Sequence, residues 1–99
     1  MHPILAAAHL DQDSALDARA KSRLRWRCRR GMLENDLLIA RFFSRFEATL
    51  TQRQANAMER LMDLSDNDLL DLLLARCEPE GDLAIAAVHD LLAQMRISA

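Results

Sequence analysis

The sequence predicts an all-α fold: a small single-domain bundle of about five short helices. The chain has 99 residues, 51% of them hydrophobic and 28% charged, which is enough for one domain with a modest core. Two glycines, two prolines and no tyrosine disfavour a β fold with many turns. Large apolar side chains recur at helical spacing through most of the remaining sequence.

The start of the chain is expected to differ from the rest. Residues 1–13 are predicted to form a flexible N-terminal extension, and residues 14–99 the helical domain. Ser14 could cap a first helix from Ala15 to about Cys28. Its large apolar side chains are Leu16, Leu24 and Trp26. Gly31 then interrupts the helical pattern, because glycine destabilises the interior of a helix and is tolerated at its end.

Two central helices are predicted from periodicity and capping residues. The second helix runs from about Met32 to Glu47. Its apolar stripe consists of Ile39, Phe42, Phe43 and Phe46. Thr51 stands three residues before Gln54, the spacing of a capping box, and marks the start of the third helix. That helix carries Ala55, Met58, Leu61 and Met62.

Two further helices complete the predicted bundle. Ser65 precedes Asp68 by three residues and is expected to cap a short fourth helix. The fourth helix is rich in leucine, with Leu69, Leu70, Leu72, Leu73 and Leu74. After a turn at residues 78–81, the last helix places Ile85, Val88, Leu91, Leu92 and Met95 on one face, with Asp90, Gln94 and Arg96 outside it. Each helix is too short to be stable alone, so all are expected to share one core.

Catalytic and metal-binding residue patterns are poor. The three histidines, His2, His9 and His89, are isolated in the sequence, and two glycines cannot build a glycine-rich phosphate loop. Cys28 and Cys77 are expected to be buried thiols in a reducing compartment rather than metal ligands or a disulfide. No apolar run approaches the roughly 18 residues of a membrane span. The sequence therefore predicts a protein that is not an enzyme, binds no metal and does not insert into membranes.

Charge is distributed unevenly along the chain. Residues 19–30 contain seven basic residues and no acid, namely Arg19, Lys21, Arg23, Arg25, Arg27, Arg29 and Arg30. Residues 59–99 contain nine acids and three arginines, a net charge of −6. The basic segment could be a solvated arm, a docking surface for an acidic protein patch, or a nucleic-acid-binding element. The acidic rest of the chain would repel phosphate, so nucleic-acid binding is the least favoured of these three interpretations.

The segment from Arg30 to Glu34 allows two interpretations. In an uninterrupted helix the two residues lie four apart and form a surface ion pair. Alternatively, Gly31 permits close approach of another backbone, while Arg29 and Arg30 offer planar donors to a partner. Glu34, in the first turn of a helix, would stay ionised. This second interpretation predicts a compact polar contact surface.

A longer string around this segment resembles the SdhE family of FAD assembly factors, known for an RGxxE motif. Residues 26–34 read Trp-Arg-Cys-Arg-Arg-Gly-Met-Leu-Glu and are followed by Asp36 and by Phe42-Phe43. The resemblance extends from about Leu24 to Gln94 through Leu50-Thr51, residues 60–62, residues 66–69 and the turn at Pro79. Asn35 departs from the pattern, because family members usually have an apolar residue there.

The resemblance implies a chaperone-like role. Members are small five-helix bundles that bind the flavoprotein subunit of succinate dehydrogenase, or of fumarate reductase, and promote covalent attachment of FAD to a histidine of that subunit. Carried over, Arg30, Gly31 and Glu34 would contact this client, with Arg29, Trp26 and Asp36 as neighbours. The chain would act in the bacterial cytoplasm as a monomer when free, bind no cofactor stably itself and bind no nucleic acid. The alternative is a nucleic-acid-binding or antitoxin-like helical module that uses residues 19–30.

Overall fold

Among the described residues, five α-helices pack around one core. The structure is a computed structural model that describes the backbone of residues 13–98 and the side chains of residues 13–96. The extension predicted for residues 1–13 lies outside this range except for Asp13. The helices are α1 (Ala18–Arg27), α2 (Leu33–Phe46), α3 (Gln52–Met62), α4 (Asp66–Leu73) and α5 (Ala86–Ser98). Short 3₁₀ helices cover Glu47–Thr49 and Gly81–Leu83. The predicted all-α bundle is confirmed.

The apolar faces of α2, α3 and α5 form the centre of the bundle. Helix α5 packs against both α2 and α3, α1 packs against α3, and α4 packs against α2 and α5. The most deeply buried large side chains include Phe42, Leu50, Met58, Leu61, Leu69 and Leu91. Burying such a side chain stabilises the fold by about 1.5–3 kcal/mol relative to leaving it exposed. The core is therefore built from the stripes that the sequence pattern predicts.

The predicted start of the first helix is wrong. Helix α1 begins at Ala18, and Asp17 is its N-cap, accepting a hydrogen bond from the Ala20 N–H at 2.8 Å. Directly before Asp17 the chain is not helical, because Ala15 forms an isolated antiparallel β-bridge with Thr51. The Leu16 N–H donates to the Leu50 carbonyl, and the Gln52 N–H donates to the Ser14 carbonyl, each at 2.9 Å. Leu16 is buried in the core.

The predicted caps of the two middle helices are present. The Thr51 hydroxyl accepts from the Gln54 N–H at 3.3 Å, and the Gln54 side chain accepts from the Thr51 N–H at 2.9 Å, which completes a capping box. The Ser65 hydroxyl accepts from the Asp68 N–H at 3.2 Å. Both caps satisfy helix N–H groups that have no partner within the helix.

Three large apolar residues of the predicted helices are exposed. Trp26, on α1, has 70% of its surface accessible, because Leu24 and Cys28 take the inward side of that helix end. Leu74 and Ile85 are also exposed, since α4 ends at Leu73 and α5 begins only at Ala86. Arg96, expected on the last helix but outside its apolar face, is half-buried and donates to the Leu72 carbonyl at the end of α4.

Candidate functional site

The connection between α1 and α2 contains a left-handed glycine. Gly31 has a φ of +91°, is exposed, and has no atom within 4 Å of the position that a Cβ would occupy. The carboxylate of Asp36, in the first turn of α2, accepts the Arg30 N–H at 3.1 Å and the Gly31 N–H at 3.2 Å. Asp36 therefore holds the backbone of the loop, and its carboxylate is already engaged within the chain.

Arg30 points inward from the same loop. Its side chain is 13% exposed, and its Nε–H donates to the Asp66 carboxylate at 2.9 Å. Its terminal nitrogens donate to the backbone carbonyls of Met62 and Leu64. Carbonyls at a helix end lack partners within the helix and attract positive charge. Arg30 thus joins the end of α3 to the start of α4, using at least three of its five N–H donors.

The ion pair that an uninterrupted helix predicts between Arg30 and Glu34 is absent, and that interpretation is wrong. Helix α2 begins at Leu33, so Arg30 lies outside it, and the positive φ of Gly31 turns the two side chains in different directions. Glu34 is exposed, and within residues 13–96 its side chain makes no hydrogen bond or ion pair.

Sequence reasoning missed two residues that support the loop. Asn35 is fully buried and donates from its amide nitrogen to the Asp66 carbonyl at 3.0 Å. Its amide oxygen is buried and has no partner among the described residues. A signal was available, because Asn35 lies four residues before Ile39 and seven before Phe42, on the same helix face. Asp66 lies in the 66–69 segment that shares the family resemblance, but no spacing in the sequence linked it to Arg30 or Asn35.

Trp26 and Arg29 lie on the outer surface. The Arg29 guanidinium stacks over the indole of Trp26, 4.7 Å from the ring centroid, and forms no ion pair among the described residues. The six predicted contact residues therefore separate into two groups. Arg30 and Asp36 are engaged in holding the loop, whereas Trp26, Arg29, Gly31 and Glu34 are exposed.

A groove of about 580 Å³ separates α1 from α2 next to this surface. Trp26, Arg29 and Asp36 lie along it, and Ile39, Ala40, Phe43 and Ser44 contribute from α2. At its far end the Arg25 guanidinium lies 5.9 Å from the Phe43 ring centroid and 3.5 Å from the Glu47 carboxylate. The groove thus has an apolar side from α2 and arginines from α1.

Acids from other helices neutralise part of the basic segment. Arg27 pairs with Glu59 at 3.0 Å and with Asp63 at 2.8 Å, both on the α3 side of α1. Arg30 pairs with Asp66 as described. The spacing of two residues between successive arginines places Arg25 and Arg29 toward the groove and Arg27 toward α3. Four basic residues of the segment have no ion pair among the described residues, namely Arg19, Lys21, Arg23 and Arg29, and of these Arg29 lines the groove.

The cysteines have different environments. Cys28 is buried, as predicted, and burial, together with the nearby Glu59 carboxylate, raises the pKa of its thiol from 9.0 to about 12. Cys77 is exposed, so the prediction of a buried thiol is wrong there. It lies in the irregular segment after α4. Within residues 13–96, no three His, Cys, Asp or Glu side chains are arranged to hold a metal ion.

No helix in the described part of the chain has the length and apolar character needed to cross a membrane. The α1–α2 connection is suited to contact with another macromolecule, because Arg30 and Asp36 hold the loop while three exposed features lie at or beside it. These are Gly31, the Glu34 carboxylate, which has no partner among the described residues, and the stacked Arg29–Trp26 pair.

Comparisons with known proteins agree with the motif. Residues 22–96 match the Sdh5 family model, described as "Flavinator of succinate dehydrogenase". A protein of Ralstonia nicotianae named "FAD assembly factor SdhE" is 50% identical over 80 residues, covering 81% of this chain and 84% of its own length. Proteins of the same name from Legionella pneumophila strain Paris and Vibrio cholerae are 44% and 35% identical over 68 and 83 residues, respectively. These alignments cover 69% and 82% of this chain, and 86% and 93% of the two relatives. No solved structure matches significantly.

The matched region contains all five helices apart from the first turn of α1 and the last residues of α5, and it includes the whole Arg30–Glu34 segment. The resemblance to the SdhE family noted in the sequence is confirmed: the chain belongs to the family of FAD assembly factors described as flavinators of succinate dehydrogenase.

Proposed function

We propose that this protein binds the flavoprotein subunit of succinate dehydrogenase and promotes covalent attachment of FAD to it. The observation that carries the proposal is membership of the flavinator family across residues 22–96, with the family motif intact at Arg30, Gly31 and Glu34. The flavoprotein subunit of fumarate reductase is a client of the same chemical kind. We place the protein in the bacterial cytoplasm and treat it as a monomer when free.

The structure supports a division of work within the motif. Arg30 and Asp36 fix the loop, and the loop presents Gly31 and Glu34 to the client. Trp26 and Arg29 add contacts beside them. An exposed glycine with open space around it allows a client backbone to approach closely, and an ionised Glu34 can accept N–H groups from the client.

The assembly factor itself need not supply reacting groups. The bond-forming chemistry belongs to the flavin and to the histidine of the client. By holding an immature conformation of the client, the factor would bring these two groups into a productive geometry, a proximity effect. In this proposal the chain is not an enzyme, and FAD stays with the client rather than binding stably to the chain.

The alternative use of residues 19–30 for nucleic-acid binding has less support. Arg27 and Arg30 are paired with acids of the same chain, and Arg25 lies within 3.5 Å of Glu47. Phosphate binding relies on accessible cations and falls steeply with salt concentration.

The direct test is the yield of covalent flavin on the client. The FAD-free flavoprotein subunit is incubated with FAD, with and without this protein, and the flavin fluorescence of the client band is measured after denaturing electrophoresis. We expect a clear increase with the wild-type chain. Equal yields with and without the chain would contradict the proposal.

Matched variants locate the effect. Gly31→Arg and Gly81→Arg both place a large side chain on an exposed glycine with positive φ and open surroundings. Each carries a backbone cost of about 1–2 kcal/mol, so both lose similar stability. Glu34→Ala and Asp68→Ala both remove an exposed acid from the first turn of a helix. We expect flavin yield to fall for Gly31→Arg and Glu34→Ala and to persist for the two controls.

A further inference from the structure

Arg96, in the last turn of α5, holds the far end of α4. Its Nε–H donates to the Leu72 carbonyl at 3.0 Å, and its Nη2–H donates to the same oxygen at 2.7 Å. Nη2 also donates to the Cys77 carbonyl at 3.3 Å, and Nη1 donates to the Glu78 carboxylate at 3.2 Å. The Arg96 side chain is 25% exposed. A guanidinium suits this place, because it serves several oxygens at once and the carbonyls of a helix end attract positive charge.

The chain directly after α4 turns in a conformation that its residues do not favour. Ala75 has a φ of +60°, in the left-handed region where residues other than glycine are strained. The turn is closed by the Arg76 N–H, which donates to the Asp71 carbonyl at 2.8 Å. A strained conformation persists only where the surrounding contacts hold it. Arg96 supplies such contacts on both sides of Ala75 and ties the turn to α5.

The near end of α4 is tied to the motif loop and to α2. The Arg30 Nε–H donates to the Asp66 carboxylate at 2.9 Å, and the Asn35 amide donates to the Asp66 carbonyl at 3.0 Å. Helix α4 is thus held by one arginine at each end, and the two arginines come from different elements. A helix of eight residues is about 12 Å long, so the two ends are close enough for a shift of one to move the other.

From these contacts, and resting on the proposed function, we infer that Arg96 is a positioning residue for the motif loop. Arg96 fixes the far end of α4, α4 fixes Asp66, and Asp66 fixes the guanidinium of Arg30. The loop that presents Gly31 and Glu34 is thereby set in part by a residue of the last helix. Such coupling travels through contiguous packed and hydrogen-bonded groups, and this chain of contacts is continuous in the structure.

The experiment compares two arginine variants. Arg96→Gln removes the guanidinium that holds α4. Arg53→Gln is the matched control, because Arg53 also forms an ion pair with an acid, Asp90 at 3.0 Å, but this pair joins α3 to α5 rather than involving α4. Both variants are expected to fold, since the buried leucines of α4, namely Leu69, Leu72 and Leu73, are unchanged.

The first readout is the Arg30 Nε–H resonance in ¹H–¹⁵N spectra of the free chain, identified by its absence from Arg30→Lys. We expect Arg96→Gln to shift this resonance and to speed its exchange with water by about tenfold or more, and Arg53→Gln to change the exchange rate by less than about twofold. The backbone amide of Phe42, in the core of α2, reports on overall stability. Its exchange should change far less than that of Arg30.

The second readout is affinity for the FAD-free flavoprotein subunit of succinate dehydrogenase, measured by titration at a temperature where circular dichroism shows every variant folded. We expect Arg96→Gln to weaken binding by about threefold or more and Arg53→Gln by less than about twofold. A milder pair guards against loss of folding. Glu78→Gln removes a partner of Arg96, and Asp90→Asn removes the partner of Arg53. The first should change Arg30 exchange more than the second.

The outcomes distinguish this inference from the proposed function. If Arg96→Gln speeds exchange of Phe42 as much as that of Arg30, Arg96 contributes only to overall stability, and the inference is overturned while the proposed function stands. Equal affinity of Arg96→Gln and Arg53→Gln for a client that the wild-type chain binds and flavinates would also overturn the inference alone. If the wild-type chain neither binds nor flavinates the client, both fail.

Discussion

Replacing Arg30 with lysine keeps the positive charge but removes the planar group that reaches three acceptors. In the wild-type chain the guanidinium donates to the Asp66 carboxylate and to the carbonyls of Met62 and Leu64. An ammonium on a flexible stem can occupy one of these positions well, and it cannot reproduce the fork. The other acceptors lie at a partly buried helix end, where water replaces the lost donors poorly.

The magnitude follows from the bonds that are lost. The Asp66 side chain is 42% exposed, so its ion pair with Arg30 is partly screened by solvent and is discounted here. Losing two hydrogen bonds at about 1 kcal/mol each gives a destabilisation of about 2 kcal/mol. In a domain of this size 1 kcal/mol lowers Tm by about 4–8 °C, so the variant should melt about 8–16 °C lower than the wild type.

Thermal unfolding followed by circular dichroism measures this difference. Arg29→Lys is the matched control, because Arg29 is exposed, has no ion pair among the described residues and should tolerate lysine with little change in Tm. Flavin yield is measured in parallel, below both melting temperatures. A lysine variant that keeps the wild-type Tm but loses flavin attachment would refute the reasoning, because it would show that Arg30 contacts the client rather than supporting the loop.

Four further predictions concern the scaffold. Thr51→Ala removes one side of the capping box and should lower the free energy of unfolding by about 1 kcal/mol. Thr49→Ala should lower it by less, because the Thr49 hydroxyl makes one long hydrogen bond of 3.4 Å. Chemical denaturation measures both variants. Leu16→Ala should lower the free energy of unfolding by about 2–4 kcal/mol, because Leu16 is buried although it precedes the family-matched residues. A loss below about 1 kcal/mol would show that this segment is not part of the core. A thiol reagent at pH 8 should label Cys77 in the native protein and Cys28 only after unfolding. Labelling of both thiols in the native state at pH 8 would contradict the burial of Cys28. The raised pKa of Cys28 also means that this thiol should leave the free energy of unfolding unchanged below pH 9. The free energy of unfolding should fall as pH rises from 9 toward 12, because the unfolded chain loses the thiol proton first.

Much of the scaffold could be predicted because its signals are local. The stripe of Ile39, Phe42 and Phe43 on α2, and the Thr51 and Ser65 caps, depend on residues within one helical turn. The start of α1 could not be predicted in this way. Residues 14–16 are held extended by backbone pairing with the chain near Thr51, more than thirty positions away, and this pairing competes with a local helix signal.

The candidate site also combines features that local sequence predicts with features that depend on contacts between distant residues. The exposure of Glu34 follows from its position off the buried face of α2, and the turn at Gly31 follows from the absence of a side chain. The inward direction of Arg30 depends instead on where the end of α3 and the start of α4 lie in space. No spacing rule connects Arg30 to Asp66, 36 residues later, so the sequence suggested a free arginine where the fold has an engaged one.

This difference changes how substitutions in the motif should be interpreted. Arg30 and Glu34 share no contact, because Gly31 sends one side chain toward α3 and α4 and leaves the other in solvent. Substitutions at independent sites add in their effects on stability, whereas residues of one network do not. A loss of function at Arg30 therefore reports first on whether the loop is held, and a loss at Glu34 reports on contact with the client. Only measurements of stability and flavin attachment on the same variants separate these two causes, since flavin attachment alone would assign both residues to the interface.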